Sequence, residues 1–326
     1  MSNNTKLTSG FLKLHNDKGL EGTFSTLGAG CYSLTLNGKP LILQPKEIDT
    51  YLSSPQFFGK TLGRVAGRIP GTIRVLDEDY KLPADSNDIC LHGGELESLS
   101  FRNFKGEAYP GKDENFVIFA YLSPDGECGF PGALEVRITY SIPRNENALI
   151  ITQEFRTSKE TWVSLSNHIY WNFFGSENVD DYTFQICASR YGVFKKGTQL
   201  VIDEAPVPPC LDFRKPSLLK TKLDMIEKKI PEIGTLDHAF RFDPVEKEDP
   251  QVVLENKDLR LECRTDYNGL NVYVDTSMTD VEFVNRPGLK KRRAIAIEPQ
   301  LFPTDSKLVL PGRIYKHMIR YDIKTK

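Results

Sequence analysis

Short stretches in which apolar and polar residues alternate recur along nearly the whole chain, as strands with one face turned to a core do. Residues 33–36, 133–142, 148–156, 162–173, 270–274 and 293–298 carry this pattern most clearly. Asn37-Gly38, between Leu34-Thr35-Leu36 and Leu41-Ile42-Leu43, predicts a hairpin turn in which the glycine supplies a positive φ. Pro124-Asp125-Gly126 predicts a second turn. The clearest helical spacing covers residues 217–229, where Leu218, Leu219, Leu223 and Ile226 fall on one face. Without regular alternation of strand and helix, the pattern predicts an all-β chain with few short helices, built as a large antiparallel β-sandwich or barrel. No repeat, low-complexity tract or Pro/Ser-rich linker divides it, so residues 1–326 are expected to form a single domain.

Composition narrows the partners. Of 326 residues, 39% are hydrophobic and 26% charged, which suits a folded globular chain with a sizeable core. Lys and Arg number 42 against 44 Asp and Glu, a net charge of -2, so no field favours a polyanion and no nucleic-acid partner is expected. The one dense basic run, Lys290-Lys291-Arg292-Arg293, reads as a solvated loop ahead of a strand rather than a phosphate patch. Six cysteines lie scattered, with neither a CxxC pair nor a zinc-type spacing, and read as reduced structural thiols. Residues 1–10 are polar and lack the apolar run of a signal peptide, and no stretch reaches membrane-spanning length. A cytoplasmic location without a membrane partner is the default expectation. Subunit contacts leave no signature, so monomer and homodimer both stand.

With only five histidines, those in unusual surroundings are the places to look for acid/base chemistry near neutral pH. His92 stands in Leu91-His92-Gly93-Gly94, where paired glycines let backbone approach a ligand, although a plain turn accounts for it almost as well. His168 lies in a stretch which, if extended, places Ser164, Ser166, His168 and Tyr170 on one polar face, with Leu165, Asn167, Ile169 and Trp171 facing inward. A buried histidine satisfied by a hydroxyl fits that position equally. Glu298 shares a strand face with Ala294 and Ala296 while Ile295 and Ile297 point the other way, and Pro299 is expected to end the ladder. Small neighbours leave room for a ligand, and a half-buried carboxylate there can act as a base. On spacing alone a salt-bridged structural glutamate fits slightly better. Asp237, ahead of His238, either caps a turn or holds sugar hydroxyls. Arg64 and Arg68, flanking Val65-Ala66-Gly67, either offer donor forks to hydroxyls or make ion pairs.

Taken in chain order, these segments resemble the aldose 1-epimerase (galactose mutarotase) family over nearly the whole chain. Seven blocks carry the resemblance: Gly63 to Ile69; Leu91-His92-Gly93-Gly94; Ser123-Pro124-Asp125-Gly126-Glu127 with Pro131-Gly132; Asn167-His168 with Tyr170-Trp171-Asn172; Asp212 to Pro216; Leu236 to Phe240; and Glu298 to Pro303. The resemblance implies a galactose mutarotase-like supersandwich with a sugar site across one sheet, and no cofactor or metal. It implies that His168 protonates the ring oxygen while Glu298 takes the proton of the anomeric hydroxyl. His92 then orients the sugar, Arg68 binds distal hydroxyls and Asp237 fixes a ring hydroxyl. Asn271, where the family usually has glutamine, shares a face with Tyr273 and reaches the cleft with a shorter amide.

The sharpest departure is Gly67, which stands where the family has asparagine. Losing that side chain while gaining space is expected to relax discrimination at a remote hydroxyl, or to admit a disaccharide such as maltose. Two other readings share the fold: a hexose-6-phosphate 1-epimerase, and a non-catalytic carbohydrate-binding protein.

Overall fold

The computed structural model describes residues 9–278, 280–284 and 291–326. Among these residues the architecture is strand-dominated, with two α-helices, Ile48–Ser53 and Leu219–Lys229. The larger sheet has nine strands in the order Lys105–Pro110, Glu114–Ser123, Leu134–Pro143, Ala148–Thr157, Tyr315–Thr325, Leu259–Thr265, Val252–Glu255, Thr183–Ile186 and Ser217–Leu218. A six-stranded sheet runs Tyr170–Trp171, Ile295–Gln300, Gly269–Val274, Asp237–Arg241, Arg190–Phe194 and Val201–Pro206. Every pairing within these two sheets is antiparallel.

One hydrophobic cluster joins the sheets, drawing Val117, Ile138, Ile151 and Ile319 from the larger one and Phe240, Val272, Ile295 and Ile297 from the smaller. Trp171 packs its ring 4.8 Å from that of Tyr321, whose hydroxyl donates to the Ile297 carbonyl at 2.9 Å. Burying this apolar area is the main force holding the layers together. A four-stranded meander, Phe11–His15 to Lys39–Pro40, adds Leu14, Phe24 and Leu34 to the same core. Its Asn37 and Gly38 adopt φ of 50° and 75°, the paired positive values of the predicted hairpin turn.

Strands with one solvated face follow the expected alternation, as Leu134–Pro143 and Ala148–Thr157 do. The stretch 162–173 does not form one strand. It threads between layers in two-residue pieces, pairing Thr161–Trp162 with Leu308–Val309, Ser166–Asn167 with Thr61–Leu62, and Tyr170–Trp171 with Ile295–Gln300. Residues 163–173 are buried throughout, so their polarity pattern reflects internal hydrogen bonds rather than an exposed face. Pro299 does not end its ladder either. It pairs with Leu270 and the strand continues to Gln300. Beyond Ala296 the strand's other flank has no ladder, where a missing N–H is tolerated.

The basic run also departs from expectation. Lys290 lies outside the described residues and Lys291 is exposed, but Arg293 is buried beside Asp275 at 3.6 Å. Arg292 bonds Asp224 at 3.1 Å and Glu227 at 3.2 Å, tying the helix Leu219–Lys229 to the smaller sheet's approach. Two of the four cations are therefore structural ties. That helix begins two residues later than predicted and buries Leu219, Leu223 and Ile226, while Leu218 stays exposed in the preceding strand.

Candidate active site

The register of the smaller sheet assembles the site. Asn271 pairs with both Glu298 and Ala239, and Tyr273 pairs with both Asp237 and Ala296. Tyr170 in turn pairs with Ala296. These residues share the face opposite Ile295 and Ile297, so small Ala296 lies between Tyr170, Tyr273 and Glu298 and leaves room above it. A cavity of about 350 Å³ opens there, lined by Arg68, His92, His168, Asp237, Asn271 and Glu298. All six residues expected to act on the sugar are thus brought together. Ser164 and Ser166 are not: Ser164 Oγ accepts the Leu301 N–H at 3.2 Å, and neither serine lines the cavity.

His168 is fixed by backbone on both sides. Its N–H donates to the Lys60 carbonyl and its own carbonyl accepts from Gly59, each at 2.9 Å. Gly59 has a φ of +61°, and a Cβ there would lie 1.9 Å from the Cys31 carbonyl oxygen, so only glycine allows this approach. The neighbouring Asn167 amide points inward, donating to the Gly59 carbonyl at 3.0 Å and the Tyr140 hydroxyl at 2.8 Å. Phe57 stacks over the His168 ring with centroids 6.0 Å apart.

His92 is clasped by Gly67. The His92 N–H donates to the Gly67 carbonyl at 2.9 Å, and the Gly67 N–H donates to His92 Nδ1 at 3.1 Å. With Nδ1 accepting, the neutral ring carries its proton on Nε2 and is a donor there. Gly67 holds a φ of +77°, and a Cβ on it would meet Gln300 Nε2 at 3.1 Å. The space expected beside Gly67 is therefore occupied by the Gln300 amide.

Arg68 donates to Asp237 Oδ2 at 3.0 Å, and Asp237 also accepts from Gln199 Nε2 at 3.0 Å and Asn271 Nδ2 at 3.3 Å. Arg64, the other candidate fork, lies away from the cavity. It is buried and binds Ser123 Oγ at 2.7 Å, the Pro124 carbonyl at 2.9 Å and the Gly132 carbonyl at 2.8 Å, pinning the loop that ends in Arg68. Gln199, Phe57 and Thr235 also line the cavity. They come from irregular segments, and no periodicity marks them in the sequence.

His168 Nε2 lies 3.3 Å from Glu298 Oε1, with both side chains almost wholly buried. Burial pushes the Glu298 carboxyl well above its usual range, and the negative charge of Asp237 raises it further against the opposing pull of Arg68 and Asn271. Burial lowers His168 to about 4, although a backbone hydrogen bond and Asp237 act the other way. His92 is held well below its ordinary value by burial, then by the charges of His168 and Arg68. For Asp237 burial acts upward, but Arg68, Asn271 and His238 bring the carboxyl below its usual value. Burial thus disfavours charge on both partners of the Glu298–His168 pair and favours a shared proton on Glu298 over His168, beside an Asp237 carboxyl that stays ionised. By donor chemistry, His92, His168 and Glu298 also offer a cation one ligand atom each, all within 4.8 Å of one another.

A family model described as aldose 1-epimerase matches residues 11–322. The human galactose mutarotase is 34% identical over 213 residues, which cover 61% of this chain and 56% of that protein. The chain thus matches little more than half the length of that relative. The aldose 1-epimerase of Haemophilus influenzae is 27% identical over 90% of this chain and 86% of its own. The maltose epimerase of Levilactobacillus brevis is 26% identical over 96% of this chain and 94% of its own. In fold, the galactose 1-epimerase of Lactobacillus acidophilus superposes with a TM-score of 0.85 over 98% of this chain and 99% of that one, at 24% identity. That likeness bears on the fold, a galactose mutarotase-like β-sandwich. The matched span, the fold and the ordered blocks together place this chain in the aldose 1-epimerase family.

Proposed function

We propose that this chain interconverts the α and β anomers of free aldoses, galactose and glucose among them, with His168 and Glu298 exchanging protons with the sugar. The observation that carries the reading is the buried pair itself, with His168 Nε2 3.3 Å from Glu298 Oε1, close enough for one proton to pass between them. Ring opening removes a proton from the anomeric hydroxyl and delivers one to the ring oxygen, so the pair gains and loses one proton in the same step. On the cyclic sugar the pair's proton sits on His168, which acts as acid while the Glu298 carboxylate acts as base. The open-chain aldehyde then faces protonated Glu298 and neutral His168, the arrangement that burial favours. Rotation about the C1–C2 bond and closure with the roles reversed gives the other anomer.

The remaining groups orient the ring. His92 donates from Nε2, Asp237 accepts from a ring hydroxyl, and Arg68 and Asn271, already bonded to Asp237, extend the polar wall. A phosphosugar is disfavoured: Arg68 is the cation lining the cavity among the described residues, and its charge is matched by Asp237. The six cysteines are free thiols, which supports a reducing compartment such as the cytoplasm.

Glu298→Gln and His168→Asn are each expected to slow mutarotation of α-galactose, followed by polarimetry, by about a hundred- to ten-thousand-fold with the circular dichroism unchanged. Full activity in both variants overturns the mechanism. A wild-type protein that binds hexoses without accelerating mutarotation is a carbohydrate-binding protein instead. A faster rate on glucose 6-phosphate than on glucose assigns the phosphosugar.

A further inference from the structure

Phe57 packs against both histidines of the cavity. Its ring lies nearly parallel to that of His168, with centroids 6.0 Å and planes 19° apart, and meets the His92 ring edge-on at 4.8 Å. The two imidazoles are themselves 5.5 Å apart at 81°, so a single phenyl ring rests on both members of a crossed pair. Although Phe57 lines the cavity, only 3% of it is exposed. It offers a sugar little surface, and its contacts are with the imidazoles instead.

The backbone that places this ring is strained. Phe57 has a φ of +54°, in the left-handed region that a bulky side chain rarely enters, while its neighbour Phe58 packs against Tyr170 and Phe283. Two features hold that conformation. The Phe57 carbonyl accepts the Lys60 N–H at 2.9 Å, closing a turn in which Gly59 and Lys60 make the backbone bonds to His168. The ring also joins a small apolar cluster with Leu62, Ala66 and Phe101, against which Leu91 packs. That cluster abuts both histidine segments: Ala66 precedes Gly67, Leu91 precedes His92, and Leu62 pairs with Ser166, two residues before His168. Removing the ring therefore opens space between the cluster and both imidazoles.

We infer that Phe57 is a positioning residue for the proton exchange: its ring keeps water from His168 and His92 and fixes the His168 plane within reach of Glu298. The effect on rate rests on the mutarotase reading above, whereas the effect on the imidazoles rests on packing alone. The charged and titratable groups facing the histidines are Glu298, Asp237, Arg68, Tyr170 and Tyr273, which line the same cavity. Lys60 lies behind, its Nζ 3.9 Å from the centre of the Phe101 ring. Changing Phe57 removes none of them, so an altered histidine titration reads the loss of shielding. Burial is the largest cause holding both histidines low, and water admitted beside them favours the imidazolium.

Phe57→Leu keeps apolar bulk without the flat ring, and Phe57→Ala removes both. The test follows mutarotation of galactose by polarimetry, and the imidazole C–H signals by proton NMR from about pH 8 to about pH 5, with His168→Asn assigning the His168 signal. In the wild type that signal is expected to hold its neutral position throughout, its midpoint lying at about 4. In Phe57→Ala the midpoint is expected to rise by about one pH unit or more, and kcat to fall by about tenfold or more while KM changes less than about threefold. Phe57→Leu should fall between on both readouts, and it decides the matter if Phe57→Ala does not fold. A rate that falls while the His168 titration stays in place makes Phe57 a packing residue and overturns the inference. So does a kcat unchanged in both variants. A wild-type protein that does not accelerate mutarotation overturns the enzyme reading instead, and the NMR titration alone then decides whether Phe57 shields His168.

Discussion

The role proposed for Glu298 depends on what surrounds it. Burial and the charge of Asp237 raise its carboxyl, and Arg68 and Asn271 hold it back. On the proposed mechanism the pair is competent while it carries one proton, and raising the pH removes that proton, so kcat/KM is expected to fall on the alkaline side with an apparent pKa above the ordinary carboxylate range. Asp237→Asn deletes the second-largest upward cause and leaves Arg68 unmatched, and both changes lower the Glu298 value. The alkaline limb of kcat/KM against pH, corrected for spontaneous mutarotation, should therefore move to lower pH in Asp237→Asn, whatever the loss in binding. A limb that stays in place separates Asp237 from Glu298 titration. None of this is visible in the sequence around Glu298, where alternation gives a face but not the neighbours on it. Asp237 and Asn271 reach Glu298 through strand register, and only the order of blocks along the chain pointed to the set. Gly67 shows the converse. Its departure from the family pattern was legible, but the Gln300 amide that fills its space comes from a strand 233 positions away, and its reciprocal bonds with His92 needed coordinates.

At the scale of elements, strands were legible where one face meets solvent and obscure where both are buried. Leu134–Pro143 and Ala148–Thr157 alternate in sequence and in burial. The segment holding His168 alternates in sequence only, because it is enclosed and takes its partners in turn from three different strands. The loops that complete the site have no period to read, and their order comes from Arg64. Its guanidinium binds both ends of the 123–132 loop, and Glu127 in that loop accepts from the Tyr121 hydroxyl at 2.8 Å and from Arg102 at 2.7 Å. Arg64→Met leaves the Ser123, Pro124, Pro131 and Gly132 oxygens without that donor, and is expected to cost about 3 kcal/mol in chemical denaturation. Since Arg68 and Gly67 follow in the same loop, KM should rise more than kcat falls. Arg64→Lys, which keeps the charge but not the fork, should fall between. A change below about 1 kcal/mol in Arg64→Met means the loop is held by other contacts.

Across the whole molecule, the buried histidines link the fold to pH. Within the Glu298–His168 pair the contributions oppose each other. Raised Glu298 contributes stability that is complete below its unfolded value and lost as pH rises through its folded value. Lowered His168 contributes stability that is present above about 6.5 and lost as pH falls toward about 4. His238 has no such counterweight in the pair. It is buried and lowered to about 4 by desolvation, against the raising effect of Asp237, and its Nδ1 accepts the Asp237 N–H at 3.2 Å. Its ring does not line the reaction cavity. The unfolded chain takes up a proton at this residue below about pH 6.5 while the folded chain does not, so acid draws the equilibrium toward the unfolded state. Between about pH 7.5 and pH 5, His238 alone should remove about 2 kcal/mol, a substantial part of the 5–15 kcal/mol that typically holds a domain together. His238→Gln retains a neutral acceptor for the Asp237 N–H and removes the titration. Urea unfolding of wild type and variant at both pH values isolates the effect: the acid-induced loss should be smaller in the variant by about that amount. Equal losses would mean that His238 is protonated in the folded chain at pH 5, and that its burial among Phe194, Tyr191 and Asp237 does not keep it neutral. The same experiment bears on catalysis, because Asp237 is the next residue along the strand. If acid loosens that strand at His238, activity should fall with the unfolding signal on the acid side, ahead of any titration of His168 at about 4.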